Sequence, residues 1–285
     1  MRSLITGVNG QLGYDIVRHL NLLGEKDYMA LDIDDMDITN REQVMEVIRK
    51  YKPDVIFHCA AWTAVDRAED EEEKCTKVNV EGTKNITDAS IEVGAKLVYM
   101  STDYVFDGTK EGMYTEEDQP NPQSVYGKTK FLGEEEVRRN PKHFITRISW
   151  VFGINGNNFI KTMLKLSENH DELSVVADQV GSPTYTYDLA KLLIDMSETE
   201  KYGTYNVTNE EFCSWAEFAE YVLKDTDTKI NHVTTEEYGK DKKQAYRPKN
   251  SRLDKTKLGD NFYRLPTWQD ATDRYKKELV KVRKK

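Results

Sequence analysis

The chain has 285 residues, of which 38% are hydrophobic and 32% are charged, and its formal net charge is −9. This composition excludes collagen-like, low-complexity and wholly disordered proteins, and the length predicts one large α/β domain or two closely packed ones. No apolar stretch approaches the roughly 18 residues that span a bilayer, and the first predicted strand begins almost at the initiator methionine. We therefore expect neither a membrane span nor a signal peptide, and we expect the protein to be cytoplasmic.

The ionisable and cysteine side chains narrow the class further. The last twelve residues carry seven basic side chains and one acidic one, so the rest of the chain has a net charge of −15. A body that acidic repels phosphate backbones, which argues against nucleic acid as a partner. The basic tail has apolar residues at helical spacing and predicts an amphipathic helix with a solvated basic face: Tyr275, Leu279 and Val282. No CxxC or Cys/His spacing occurs, so we expect reduced thiols and no metal site: Cys59, Cys75 and Cys213.

Short β-rich segments alternate with helical patterns over the first half of the chain. Strands are predicted at 2–6, 28–32, 54–59, 96–101 and 144–148, and helices at 11–23, 41–51, 76–93 and 124–139. Parallel strands need crossover connections, and the helices in those crossovers bury both faces of the sheet. The alternation therefore predicts an α/β fold with a doubly wound parallel sheet.

Beyond Trp150 the predicted segments are shorter and more mixed. Helices are predicted near 157–169, 188–197 and 214–223, strands near 173–176 and 205–208, and polar interruptions at 225–231 and 236–244. This half predicts a smaller α/β domain that supplies a substrate pocket at the carboxyl edge of the sheet.

A glycine-rich loop follows the first predicted strand. Gly7, Gly10 and Gly13 form a GxxGxxG motif that leads into a helix. Gly7 permits a tight turn, Gly10 lets the backbone approach a pyrophosphate, and Gly13 lets the helix pack close to the strand. An ordinary strand-to-helix turn is the alternative, but the position at the start of a βαβ series favours a dinucleotide site.

An acidic residue at the end of the second strand bears on which dinucleotide is bound. Asp32 lies about twenty residues beyond the loop, where a carboxylate accepts from a ribose 2′-OH and repels a 2′-phosphate. No Arg or Lys occurs between Asp32 and Asn40, which favours NADH over NADPH, although Arg41 is near enough to reach in. The alternative is a solvated strand-end acid, because further aspartates crowd this segment.

A tyrosine and a lysine suggest proton transfer. Tyr126 and Lys130 are four residues apart on a predicted helix and therefore share one face. An ammonium beside a phenol stabilises the phenolate, which predicts a lowered pKa for Tyr126 and proton exchange with a carbonyl or alcohol. Thr102, at the end of the fourth strand, is placed to bond the same oxygen. A YxxxK spacing arises often by chance among 16 tyrosines, but its order after the glycine loop favours hydride chemistry.

Eight segments carry a resemblance to a known family. They are GVNGQLG at 7–13, AAWTAVDRAE at 60–69, VNVEGT at 78–83, STDYVFDG at 101–108, YGKTK at 126–130, RISWVFG at 147–153, DQVGSPT at 178–184 and RPKNSRL at 247–253. Together they resemble the extended short-chain dehydrogenase/reductase superfamily. The last two segments are the more specific ones and are similar to the branch that reduces dTDP-4-dehydro-L-rhamnose.

The resemblance implies a fold and an activity. It implies a Rossmann-type NAD(P)-binding domain at 1–148, with the helix near 188–198 packing back on it, and a mainly substrate-binding domain at 149–285. The implied reaction is reduction of the C4 keto group of dTDP-4-dehydro-L-rhamnose by NADH or NADPH, for nucleotide-sugar and polysaccharide biosynthesis. Family members form dimers, some with Mg²⁺ between acidic residues, so a homodimer is expected, but no Mg²⁺ ligand is placed.

The resemblance also implies residue roles. Tyr126 would donate the proton, Lys130 would bind the nicotinamide ribose and tune Tyr126, and Thr102 would orient the substrate oxygen. The expected cofactor contacts are Gly7, Gly10, Gln11, Leu12, Gly13, Asp32, Asp37, Ile38, Ala61, Trp62, Thr63, Tyr126 and Lys130. The expected sugar-nucleotide contacts are Thr102, Asp103 and Trp150. Because so acidic a body must concentrate positive charge locally to bind a diphosphate, Arg247 is added as a phosphate clamp.

Several alternatives stay open at this stage. A related nucleotide-sugar epimerase or dehydratase would hold NAD tightly through a whole redox cycle. A non-catalytic regulatory subunit similar to the β-subunit of methionine adenosyltransferase would keep the fold, although the intact Thr102, Tyr126 and Lys130 argue against it. Asn79 is equally compatible with a structural role and with a proton relay. The acidic run at 66–73 is best explained as a solvated helix start, and His58 as a core residue.

Overall fold

The computed structural model describes residues 1–240 and 244–283. Its strands are β1 (Ser3–Thr6), β2 (Tyr28–Leu31), β3 (Val55–His58), β4 (Lys96–Thr102), β5 (His143–Ile148), β6 (Val151–Phe152), β7 (Glu172–Val176), β8 (Val180–Gly181), β9 (Thr184–Tyr185), β10 (Gly203–Asn206), β11 (Cys213–Ser214) and β12 (Lys229–Val233). Six of them form one all-parallel sheet in the order β2-β1-β3-β4-β5-β10.

The helices fall into two groups by length. The longer ones are α1 (Gln11–Leu22), α2 (Arg41–Tyr51), α5 (Thr83–Val93), α6 (Val125–Val137), α7 (Phe159–Ser167), α8 (Thr186–Ser197), α9 (Trp215–Val222) and α12 (Trp268–Arg283). The shorter ones are α3 (Val65–Asp70), α4 (Glu72–Thr76), α10 (Thr235–Gly239) and α11 (Thr256–Asn261). None of the described helices is both long enough and apolar enough to cross a membrane.

Both faces of the large sheet are buried, as expected for a doubly wound fold. Alternate strand residues Ile5 and Phe57 belong to the core beneath α1 and α8, whereas their neighbours Leu4 and Ile56 belong to the core beneath α2 and α5. All four are fully buried. This burial on two sides explains why the strands read as nearly continuous apolar runs in the sequence.

The strand order reverses beside β1, and this position defines the site. The chain passes from β1 to β2 on one side and then crosses to β3 on the other. The carboxyl ends of β1 and β3 therefore open a crevice between diverging connections, which is where open α/β sheets bind ligands. The glycine-rich loop follows β1 directly at this crevice.

The second half of the chain is joined closely to the large sheet. β10 pairs in parallel with β5, and α8 packs against α1. Side-chain hydrogen bonds also connect these parts: Thr186 of α8 donates to Asp15 of α1 at 2.5 Å, and Tyr185 of β9 donates to Glu278 of α12 at 2.6 Å. A separate apolar core, which includes Phe152, Phe218 and Tyr275, lies among α7, α9 and α12.

Most of the predicted elements are confirmed, with a few corrections. The predicted helix at 76–93 begins with a π-helical segment, Lys77–Gly82, and the predicted polar interruption at 225–231 contains the start of β12. The terminal helix forms, but Val282 is 52% exposed, because α12 buries only Tyr275 and Leu279 of the three expected apolar positions. Residues 241–243 of the second polar interruption and the last two lysines lie outside the described residues. The domain boundary at 148 stays a prediction.

Candidate active site

A cavity of about 780 Å³ occupies the crevice at the carboxyl ends of the strands. All of the site residues predicted from the sequence line it, except Arg247. It extends from the glycine loop and the end of β2, past the segment after β3, to Tyr126, Lys130 and Trp150. One continuous space therefore joins the predicted dinucleotide site with the predicted proton-transfer residues.

The glycine loop has the shape of a pyrophosphate cradle. Gly7 has a φ of 70°, and a Cβ there would lie 2.7 Å from the backbone nitrogen of Ala60. A Cβ on Gly13 would overlap the carbonyl group of Gly7, whereas one on Gly10 would meet only the Gly7 oxygen, at 3.2 Å. Gly7 and Gly13 are thus required by packing, and Gly10 keeps the helix N-terminus open to an anion. Gln11 and Leu12 begin α1 beside it and also line the cavity.

Asp32 holds the glycine loop in place. Its carboxylate accepts hydrogen bonds from the backbone N–H of Asn9 at 2.8 Å and from that of Ile33 at 2.9 Å. Asp37 and Ile38 line the same end of the cavity, where Asp37 accepts from the N–H of Thr39 at 2.8 Å. This acidic end suits the hydroxyl groups of an adenosine ribose, and that role of Asp32 stays a prediction.

The segment after β3 is fixed by Asn79, which lies in the π-helical segment. Its side chain accepts from the N–H of Trp62 at 2.8 Å and donates to the Trp62 carbonyl at 3.2 Å. It also donates to the hydroxyl of Thr129 on α6, at 3.1 Å. These contacts hold the backbone of Trp62, and with it Ala61 and Thr63, along the cavity, which is a structural role for Asn79. π-Helical turns are often found at functional sites.

Tyr126 and Thr102 meet at the inner end of the cavity. Ser124 caps α6 by accepting from the N–H of Gly127 at 3.1 Å, and β4 ends at Thr102. The Thr102 hydroxyl lies near enough to the Tyr126 phenol to lower the pKa of that phenol. Thr102 in turn donates to Asp103 at 3.0 Å. A carbonyl oxygen placed between the two hydroxyl groups would have both a proton donor and an orienting group.

The sequence prediction of a lowered Tyr126 pKa is wrong for this structure. Burial raises the pKa of Tyr126 well above its usual value, and the nearby Thr102 hydroxyl offsets only part of that rise. Burial also lowers the pKa of the Lys130 ammonium to about 7, although the Glu134 carboxylate opposes this. Because burial raises its pKa, Tyr126 keeps its proton at neutral pH. A protonated phenol is the form that a proton donor requires.

Glu134 is the buried carboxylate one turn beyond Lys130, and Arg147 neutralises it. The Arg147 guanidinium donates twice to Glu134, at 2.9 and 2.8 Å, and both side chains are almost fully buried. Ser101 adds a third hydrogen bond to the same carboxylate, at 2.5 Å. The paired charge keeps α6 in register with β4 and β5, which places Lys130 beside the Tyr99 ring at 4.1 Å.

Asp103 and Trp150 form the wall opposite the cofactor end. Asp103 is 3% exposed and accepts from Ser251 at 2.5 Å, and burial raises the pKa of its carboxyl group to about 6. Trp150 has a φ of 49° and stacks on Trp215 with ring centres 3.8 Å apart. Asp103 and Trp150 therefore line the cavity together with Thr102, the third predicted contact of the sugar.

Arg247 lies outside the described cavity lining. Its guanidinium donates to the Asp66 carboxylate at 2.8 Å and to the Ala245 carbonyl at 3.0 Å. Its charge also acts on the phenol of Tyr104, which does line the cavity. The charge of the predicted clamp is thus partly balanced by Asp66, and its contact with phosphate stays a prediction.

Sequence reasoning missed several cavity residues. Tyr104 follows the Thr102-Asp103 pair, and its ring packs edge-on against that of Tyr126 at 5.5 Å. Gly156 and Asn157 come from the second half of the chain, where Asn155 donates to the carbonyl of Asn9 at 2.8 Å. The Gly-Asn sequence at 153–158 signals a turn, but nothing local indicates that this turn reaches the glycine loop.

The fold and the site define the class of protein. A parallel sheet with a glycine loop at its switch point, together with a Tyr-Lys helix beside a strand-end threonine, is the arrangement of a Rossmann-type oxidoreductase of the extended short-chain dehydrogenase/reductase kind. The family model of the RmlD substrate binding domain matches residues 1–281. The chain belongs to that family, the dTDP-4-dehydrorhamnose reductases.

Known relatives match nearly the whole chain. The dTDP-4-dehydrorhamnose reductase of Aggregatibacter actinomycetemcomitans is 43% identical over 286 residues, covering 95% of this chain and 96% of the relative. A crystal structure of the Clostridium acetobutylicum reductase has a TM-score of 0.94 at 42% identity, over 98% of this chain and all of the other. The Bacillus anthracis reductase, solved with NADP, has a TM-score of 0.92 at 43% identity and covers 97% and 99% of the two chains.

Proposed function

We propose that this chain reduces the C4 keto group of dTDP-4-dehydro-L-rhamnose to give dTDP-L-rhamnose, with NADH or NADPH as the reductant. The observation that carries the proposal is the single cavity that joins the glycine loop to Tyr126, Lys130 and Thr102. The family and the NADP bound to the Bacillus anthracis relative support both the sugar nucleotide and the cofactor.

The residues divide the reaction between them. When bound, the reduced nicotinamide supplies the hydride that C4 receives. Tyr126 gives its phenolic proton to the oxygen on C4, and Thr102 orients that oxygen. Lys130 holds the nicotinamide ribose. Its ammonium group also stabilises the phenolate that is left on Tyr126 after proton transfer, because opposite charges favour each other. The rigid ends of β4 and α6 keep these groups in position, so little ordering is needed during the reaction.

The rest of the assignment follows the same division. Residues 1–148 bind the dinucleotide and also supply Thr102 and Asp103 to the sugar nucleotide, whereas residues 149–285 mainly bind the sugar nucleotide, through Trp150 and Arg247. We propose a cytoplasmic location, where nicotinamide cofactors and nucleotide sugars are available. A homodimer is the expected assembly, and light scattering after gel filtration measures it.

The decisive experiment follows NADH and NADPH oxidation in the presence of dTDP-4-dehydro-L-rhamnose, with the product identified by NMR. Tyr126→Phe should lower kcat by about 10² to 10⁴ and leave cofactor affinity nearly unchanged, because only the proton donor is removed.

Tyr104→Phe is the matched comparison, because this second phenol lines the same cavity and burial also raises its pKa. A larger loss in Tyr104→Phe than in Tyr126→Phe would move the donor role to Tyr104. Wild-type protein that carries bound NAD and turns over a nucleotide sugar without added reductant would contradict the proposed reduction.

A further inference from the structure

Trp150 has an unusual backbone for a bulky residue. Its φ of 49° lies in the left-handed region, which side chains of this size rarely adopt. Thr184 holds this backbone from the neighbouring strand: its N–H donates to the Trp150 carbonyl at 3.2 Å, and its hydroxyl donates to the Ser149 carbonyl at 2.6 Å. Such strain persists only when surrounding contacts enforce it, and it clusters at ligand sites.

Trp215 supplies the contact that holds the Trp150 side chain. The two indole rings are stacked with centres 3.8 Å apart and planes inclined by 14°, and Phe159 supports the Trp215 ring at 4.6 Å. Gly181 confines Trp150 as well, because a Cβ there would lie 3.0 Å from two atoms of its ring. The indole of Trp150 is therefore fixed by neighbours that belong to the second half of the chain.

Trp215 is itself rigidly placed. It is the first residue of α9, whose N-terminus carries a capping box in which Glu217 N–H donates to Ser214 at 3.1 Å and Ser214 N–H donates to Glu217 at 2.6 Å. β11, directly before it, pairs with β8, so that Cys213 lies opposite Gly181. The ladder that positions Trp215 is thus also the ladder that positions Gly181.

We propose that Trp215 is a positioning residue that holds Trp150 in the wall of the sugar-nucleotide pocket and thereby sets substrate affinity. This inference rests on the proposed function. Trp150 lines the cavity, whereas Trp215 is not among the described lining residues, so Trp215 acts through Trp150. A fixed indole offers a flat apolar surface to the C–H face of a pyranose ring.

The structure also predicts which kinetic constant responds. Tyr126, Lys130 and Thr102 are carried by α6 and β4, which Trp215 does not contact through any described ring interaction or hydrogen bond. Loss of the stack therefore removes binding that is equal in the ground state and the transition state. Such a change raises KM and leaves kcat nearly constant.

The test compares Trp215→Leu, Trp215→Phe and the control Trp268→Phe. Trp268 lies in the same apolar core and packs edge-on against Phe218 and Tyr221. Its indole nitrogen has no hydrogen-bond partner among the described atoms, so its replacement by Phe keeps an aromatic ring at this position and breaks no hydrogen bond. Trp215→Leu should raise the KM for dTDP-4-dehydro-L-rhamnose roughly tenfold, keep kcat within about twofold and leave the KM for NADPH unchanged. Trp215→Phe should restore most of the affinity, and Trp268→Phe should match the wild type.

Circular dichroism gives an independent measurement of the stack. Two closely stacked indoles produce a pair of far-ultraviolet bands by exciton coupling, and Trp215→Leu should abolish this pair while Trp268→Phe keeps it. Gly181→Ala should weaken the pair and raise the same KM, because the added Cβ displaces the Trp150 ring.

Two results would overturn the inference. One is loss of the coupled bands in Trp215→Leu with an unchanged substrate KM, and the other is an equal rise of KM in Trp268→Phe. If the wild-type chain fails to oxidise NADPH with this substrate, the proposed function fails separately. The affinities of the wild type and of Trp215→Leu for dTDP-L-rhamnose, measured by calorimetry, then test the role of Trp215. Equal affinity in the two proteins, or no binding to either, would refute that role.

Discussion

Lys130 is 3% exposed, and its ammonium group lies against the Tyr99 ring instead of in water. Burial lowers its pKa from 10.5 to about 7 in the folded protein. Between these two values the unfolded chain binds one more proton than the folded chain, so this residue makes the free energy of unfolding rise with pH. Below about pH 7 both states are protonated, and the cost of the buried charge is constant.

Lys130→Met removes this titration. The free energy of unfolding of Lys130→Met minus that of the wild type should therefore fall by about 1 kcal/mol or more between about pH 7 and about pH 10. Urea denaturation of both proteins at the two pH values measures it. Other titrating groups are common to both proteins and cancel in the difference, so a gap that does not depend on pH would show that Lys130 titrates normally.

Arg247 and Asp66 allow a second test at the scale of single residues. Arg247→Ala should weaken binding of the nucleotide sugar about tenfold and leave NADH binding unchanged, because it removes a charge-assisted contact to phosphate. Asp66→Asn is the matched control, since it frees the guanidinium from its 2.8 Å partner and should keep or strengthen that binding. Isothermal titration with dTDP-L-rhamnose measures both, and unchanged affinity in Arg247→Ala would exclude the clamp.

At the scale of elements, two glycines in the turn from β1 into α1 have different roles, one in stability and the other in cofactor binding. Gly13→Ala should destabilise the protein by about 2 kcal/mol or more, because its Cβ would overlap the rigid carbonyl of Gly7. Gly10→Ala should change stability by less than about 1 kcal/mol, because its φ of −78° is ordinary and its Cβ meets only one atom. We expect that Cβ to occupy part of the predicted pyrophosphate site, so NADH affinity should fall at least about tenfold.

Thermal unfolding and NADH fluorescence titration distinguish the two variants. A folded Gly13→Ala protein of wild-type stability would show that α1 is able to move away from β1. Wild-type NADH affinity in Gly10→Ala would place the pyrophosphate elsewhere.

The elements also show what the sequence predicts well. The apolar runs and helical periods of the first half predict β1 to β5 and the helices α1, α2 and α6 to within a few residues, because those signals are local. The short helix α3 is not among the predicted helices. The Tyr126–Lys130 face follows from helical geometry in the same way. The π-helical turn at Lys77–Gly82 has no such local signal, and the Asn79 side chain that it carries bonds to Trp62, which lies 17 residues earlier in the chain.

The rest of the site depends on contacts between distant parts of the chain. Arg247 and Asp66 are 181 residues apart, and the Asn155 contact with Asn9 spans 146 residues. Nothing local to Trp150 indicates a left-handed backbone, since only glycine adopts it freely. The prediction of a lowered Tyr126 pKa is wrong for a related reason. The YxxxK spacing places the lysine on the same helix face as the tyrosine, but only the fold determines how deeply both groups are buried.

At the scale of the whole molecule, the two predicted domains share one sheet. A fragment of residues 1–150 lacks β10 and α8, so the unpaired edge of β5 and the apolar face beneath α8 would be exposed. An open edge of this kind pairs with other chains, so we expect the fragment to aggregate more than the full chain does under the same conditions. Soluble yield and light scattering measure this, and a monomeric fragment that binds NADH would contradict it.

The pairing of β10 with β5 also has a consequence for synthesis on the ribosome. β5 ends at Ile148 and β10 ends at Asn206, so the strand that covers the edge is made 58 residues later. At about 5–20 residues per second, the nascent chain carries an open sheet edge for roughly 3 to 12 seconds. During that interval the half-made protein is a target for chaperones, and codons that slow translation between the two strands would lengthen its exposure.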